Sequence, residues 1–132
     1  MAASNYLMKS LIDHTLNNDV YSQPTELHLA LFLDGAAEED LRNNLLTNEV
    51  DEGNYQRVDI TNYFDPVDVE DVRVTFNQTV TFTNMPAVVI RFAAILDQDS
   101  NVLFFGMSSD PIYTIENETF EIDPEDWELT SI

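Results

Sequence analysis

The chain has 132 residues, of which 44% are hydrophobic and 11% aromatic; that excludes a disordered polymer and fits one domain spanning 1–132. Twenty-five Asp and Glu against five Lys and Arg give a net charge of -20, which argues against nucleic acid and anionic membranes as partners. There is no cysteine, so disulfides, thiolate metal sites and cysteine nucleophiles are excluded.

Residues 4–18 read as an N-terminal helix. Ser4 is a good N-cap, and Leu7, Met8, Leu11, Ile12, Thr15 and Leu16 form one apolar stripe that needs a surface to lie on. Asn17-Asn18 is suited to end it. The stretch 26–34, ELHLALFLD, alternates as a strand, with His28, Ala30 and Phe32 on the second face making that side apolar too. Residues 36–46 predict a short helix whose early Glu38, Glu39 and Asp40 suit the positive end of its dipole. EVDEGNYQRVDI, 49–60, predicts a turn at Gly53 leading into a strand. Residues 65–71 form an acidic loop. Residues 72–83 are rich in β-branched types and give one kinked strand or two short ones. Met85-Pro86 then breaks the chain.

The most apolar stretch is 88–106, VVIRFAAILDQDSNVLFFG. It predicts two strands joined by the polar turn Asp97-Gln98-Asp99-Ser100-Asn101. Its first arm is apolar on both faces apart from Arg91, so the hairpin needs two covers. The helix and the remaining strands are candidates for them, and a neighbouring copy is another. Asp110-Pro111 is expected to close this unit. IYTIE, TFEID and WELTSI then predict three short final strands, with Trp127 and Leu129 on one face and Ile132 just beyond. The fold class expected is mainly β: a β-sandwich-like domain of eight or nine short antiparallel strands with an N-terminal α-helix.

Chemistry is scarce. His14 lies beside the helical stripe and His28 alternates with leucines, so both read as structural, and no serine sits in a nucleophile elbow. Three glycines cannot build a phosphate-cradling loop. Asp97, Asp99 and Asn101 alternate as oxygen ligands do in some calcium loops, but turn chemistry alone accounts for them. Asn77-Gln78-Thr79 and Asn117-Glu118-Thr119 match the glycosylation pattern, which carries little weight because the residues from Met1 to Asn5 show no secretion signal. No apolar run approaches the roughly 20 residues of a membrane span. The expectation is therefore no enzyme, no catalytic residue, no metal and no cofactor.

The order of the pieces resembles a family of small phage virion proteins, tail-fibre-like or capsid-decoration-like. The family's LYVALF strand is matched by Leu27 to Phe32. Its EVSGGGYAR motif is matched by Glu49-Val50-Asp51-Glu52-Gly53-Asn54-Tyr55-Gln56-Arg57, with Glu52 and Asn54 where the family has glycine. Its ITF strand before a proline is similar to Val80-Thr81-Phe82 before Pro86. Its FDAATGGNLLYYG hairpin resembles Leu96 to Gly106. The resemblance runs from residue 5 to the end.

It implies a non-catalytic virion protein, made in the host cytoplasm and attached in several copies to the outside of the particle, as capsid decoration or as a tail component. The implied partners are other virion proteins and copies of itself. Arg57, Arg73 and Arg91 are candidate partners for carboxylates of an adjacent subunit. Two other classes stay open: a calcium-dependent carbohydrate-binding module with exposed rings among Tyr63, Tyr113 and Trp127, and an acidic decoy of a nucleic-acid-binding protein.

Overall fold

The computed structural model describes residues 1–129. Strand β1 (Ala2–Ala3) leads into helix α1 (Asn5–Leu16), followed by β2 (His28–Leu33), α2 (Glu38–Arg42), β3 (Val58–Asp59), β4 (Val74–Thr75), β5 (Val80–Met85), β6 (Val89–Leu96), β7 (Val102–Tyr113), β8 (Glu118–Ile122) and β9 (Glu128–Leu129). The mainly β architecture with an N-terminal helix is the one the sequence predicts. Strands β1-β7-β6-β2-β3 form one antiparallel sheet, and the ribbons β5-β8 and β4-β9 complete the β layers.

The 88–106 hairpin lies at the centre of the large sheet, and both of its faces are covered. On one side Leu29, Leu31, Ile90, Ala93 and Ile95 are buried with Val80, Phe82, Met85 and Ile122 of the β5-β8 ribbon. On the other side Ala30, Phe32, Phe92, Ala94, Leu96, Val102 and Phe105 are buried with Leu41 of α2, flanked by Ala36 and Leu46. The lid over that second face is therefore the 36–46 segment. Helix α1 covers only the Leu103 end, where Leu7 and Ala3 meet that residue.

A bulge aims Leu103 there. Ile95 pairs with Phe104 and Leu96 with Val102, so Leu103 is the extra residue between them. The rest of the predicted stripe docks less well: Ile12 and Leu16 are 47% and 73% exposed. Ser4 caps the helix as predicted. It is buried, accepts from Leu7 N–H at 3.1 Å and donates to the Val102 carbonyl. Ser4→Ala removes both contacts, and urea unfolding is expected to show a loss of about 1–2 kcal/mol.

Two expectations need correction. Asp110-Pro111 does not end the second arm, because β7 continues to Tyr113 and absorbs the first of the three predicted final strands. Residues 108–111 bow out opposite Arg91, and pairing resumes at Ile112 and Tyr113. In the bow Pro111 has no ladder hydrogen bond to donate, so it costs nothing there. The strand expected after Gly53 shrinks to Val58–Asp59. The chain instead pairs earlier, where Leu33 N–H donates to Asn48 O at 2.9 Å and Val50 N–H to Leu31 O at 3.0 Å. Of the two alternatives for 72–83, the structure has two short strands, β4 and β5, in different ribbons. Ile132 lies outside the described residues.

Left-handed backbone is handled mostly by asparagine. Asn18, Asn44, Asn48, Asn84, Asn117 and Ser100 have positive φ, a region that asparagine tolerates better than most residues. Gly53 is the glycine that its turn requires: φ is +63°, and an added Cβ would lie 3.1 Å from Pro86 Cβ.

Candidate functional site

The EVDEGNYQR motif closes on itself. Turning at Gly53 brings its last residue back to its first. Arg57 Nε and a terminal nitrogen donate to the two oxygens of Glu49 at 2.8 and 2.7 Å. The remaining terminal nitrogen donates to Ser100 Oγ at 2.8 Å, in the turn of the central hairpin. Tyr55 Oη donates to Glu49 at 2.9 Å and accepts from Leu31 N–H at 3.0 Å. Its ring stacks on Phe82 with centroids 6.2 Å apart. These four side chains tie the loop to β2, to the β5-β8 ribbon and to the hairpin turn. Arg57 is thus a neighbour-binding candidate already committed within its own chain.

Burial, and then the charge on Glu49, push the Tyr55 phenol well above its ordinary value. A raised folded pKa adds stability below the unfolded value, near pH 10, that is lost as pH rises above it. Tyr55→Phe leaves Leu31 N–H without its acceptor, and a cost of about 1–3 kcal/mol is expected at neutral pH. The same variant is expected to lose less stability between neutral and strongly alkaline pH, as read by urea titrations.

The predicted turn carboxylate is occupied by its own backbone. Asp97 is buried. Its Oδ1 accepts from the N–H groups of Asp99 and Asn101 at 3.0 and 2.8 Å, and its Oδ2 from the Asn101 amide at 3.1 Å. Asn101 in turn accepts from Asn44 at 2.9 Å. Among the described residues no three carboxylate or imidazole groups converge on a metal-sized position. A polar hollow between α1 and this turn gathers Asp13, Asp19, Asp97 and Asp99 with Tyr6 and Tyr21. Lys9 there is paired with Asp13 at 2.6 Å.

His14 Nδ1 accepts from Tyr21 N–H at 3.1 Å and anchors the chain leaving α1. His28 meets Glu26 at 3.1 Å. Of the three rings named for sugar stacking, Tyr113 is exposed, whereas Tyr63 and Trp127 pack against the core.

Every lysine and arginine has a carboxylate within 4 Å, and the pairs differ in quality. Arg42 reaches Glu38 at 3.0 Å, and Arg73 reaches Asp71 at 3.2 Å. Arg91 is only 3.8 Å from Asp34, and its Nε is buried without an acceptor among the described residues. The position of Arg91 is unusual. Phe32 pairs with Phe92 and Leu33 with Ile90, so Arg91 is the extra residue against β2; on its other side it faces the bow at 108–111. No sequence signal marks this double irregularity, because it arises from pairing.

Beside Arg91 the two layers part. A cleft of about 290 Å³ opens between Ile90, Ala93 and Ile112 of the large sheet and Phe120, Ile122 and Trp127 opposite. Its edge carries Met107, which is 54% exposed, and the acids Glu121, Asp126 and Glu128.

A family model described as "Podophage GP4 fiber I protein gp80" matches residues 2–130. No curated protein matches the chain. The matched stretch takes in the helix cap, the Glu49–Arg57 closure, the central hairpin and both ribbons. The chain therefore belongs to the family of the podophage GP4 fibre I protein gp80.

Proposed function

We propose that this protein is a non-catalytic structural component of a phage tail fibre, carried in several copies on the outside of the particle and made in the host cytoplasm. The family match over residues 2–130 carries this reading, and the fibre description favours tail over capsid shell. The chemistry of the fold agrees with it. The best-formed polar cluster, Glu49-Tyr55-Arg57-Ser100, is satisfied internally and holds loops in place. A surface of net charge -20 repels packaged DNA and keeps particles dispersed, which suits an outward-facing part. Its partners are other virion proteins.

The test is fractionation of purified particles into capsids and tails, with the chain quantified in each by mass spectrometry. It is expected in the tail fraction at a fixed ratio to the other tail proteins. Recovery with capsids alone would move it to a decoration role, and absence from both fractions would overturn the virion reading.

A further inference from the structure

At the cleft beside Arg91 the apolar layers are open: Ile90, Ala93, Phe120 and Trp127 face a gap about 290 Å³ in volume. That is room for one or two large side chains, not for a folded element. Arg91 lines it with a buried Nε–H that finds no acceptor among the described residues. A buried donor left unpaired is costly, and the double irregularity that holds Arg91 there recurs next to binding sites in β proteins. The rim is acidic. Glu121, Asp126 and Glu128 all stand at the edge of the cleft and are all exposed.

These features select one kind of occupant. The walls require an apolar side chain. The Arg91 donor requires an acceptor, and a peptide carbonyl supplies one without adding negative charge. The rim and the net charge of -20 favour flanking cations and disfavour a second copy of this chain. We propose that the cleft receives an apolar anchor residue from a basic segment of a neighbouring virion protein, with a backbone carbonyl on Arg91 and lysines or arginines against the rim. This rests on the virion reading above and names the chemistry of the partner.

Trp127 is the one tryptophan in the chain, so its emission reports on the cleft directly. The probes are two capped peptides, a leucine flanked by lysines and the same leucine flanked by glutamates, titrated into the full chain. The lysine peptide is expected to bind at least about tenfold more tightly. Glu121→Lys with Glu128→Lys changes exposed side chains and gives up only the 3.9 Å approach of Glu128 to Arg73, an exposed pair worth little; it is expected to invert the preference with little change in melting temperature. Arg91→Met is expected to weaken the lysine peptide several-fold.

Equal binding of the two peptides, no binding by either, or a preference for glutamate in the unaltered chain would overturn the proposal. Self-association of the chain that the rim variant abolishes would also overturn it, by making a second copy the occupant. In particles the two readings separate. A rim variant that still joins the tail as well as the unaltered chain sinks the cleft proposal and leaves the structural role standing. Correct peptide behaviour by a chain absent from particles sinks the virion reading, and with it the virion origin of the partner, and leaves the basic, apolar-anchored chemistry of the occupant standing.

Discussion

Phe92→Asp is expected to abolish folding. Phe92 sits at the middle of β6, 6% exposed, beside Phe32 on β2 and under the layer that holds Leu41 and Phe105. Truncating a buried phenylalanine alone costs about 3–5 kcal/mol. Aspartate adds a carboxylate in a layer made of Ala30, Phe32, Ala94, Leu96 and Val102, none of which offers a side-chain donor. Burying a charge without a partner is costlier than the cavity itself. Together the two terms consume most of the stability of about 5–15 kcal/mol that a domain of this size has. The variant is expected to be insoluble, or to show no cooperative transition by circular dichroism. Phe92→Leu keeps the layer apolar and is expected to stay folded with a loss of about 1–2 kcal/mol. A soluble Phe92→Asp protein with unchanged melting would mean that this side chain faces water.

Much of that layer is legible in the sequence. Alternation along Val88 to Leu96 states that both sides of β6 are buried, but it puts Val88 and Ile90 on the face of Phe92, Ala94 and Leu96; the irregularity at Arg91 instead sets them beside Ala93 and Ile95. The turn at 97–101 and the bend at Gly53 follow from residue type. What covers each side is not legible, because a helical stripe says only that it needs a surface. The long stripe of α1 attracts the assignment, yet five-residue α2 supplies Leu41 to the second face. Pro111 misleads for a related reason. Its ring forbids a ladder hydrogen bond, and only the pairing pattern reveals that none is needed opposite Arg91.

The candidate sites divide in the same way. Arg57, Arg73 and Arg91 stand out in the sequence as scarce cations, but their partners are set by the fold. For Arg57 a local hint exists: opposite charges bracket a turn glycine, so Glu49 and Arg57 are placed to return to each other. For Arg91 there is none. Its ion-pair partner, Asp34, lies too far for a hydrogen bond, and the cleft beside it forms where the large sheet and the ribbons opposite it part.

Glu49→Ala is expected to be the most damaging single change to a charged residue. The Glu49 side chain is 16% exposed and takes three hydrogen bonds, two from Arg57 and one from Tyr55. Its loss strands the guanidinium, 31% exposed, with Ser100 as its one remaining acceptor. Stranding one member of a fully buried pair costs about 3–5 kcal/mol. Partial exposure of Arg57 lets water recover some of that, so a loss of about 2–4 kcal/mol is expected from urea unfolding. The exposed pair Arg42–Glu38 sets the contrast: Glu38→Ala is expected to cost under about 1 kcal/mol, and less still in high salt. High salt should raise the stability of every variant by screening the net charge of -20, so the informative quantity is the difference from the unaltered chain at each ionic strength. For Glu49→Ala that difference should persist in high salt, because its bonds are partly shielded from solvent. The double variant Glu49→Leu with Arg57→Leu removes both charges and keeps the volume apolar. It is expected to be more stable than Glu49→Ala alone. Equal losses for the double variant and for Glu49→Ala would mean that the motif acts through packing, and that its charges are incidental to the closure.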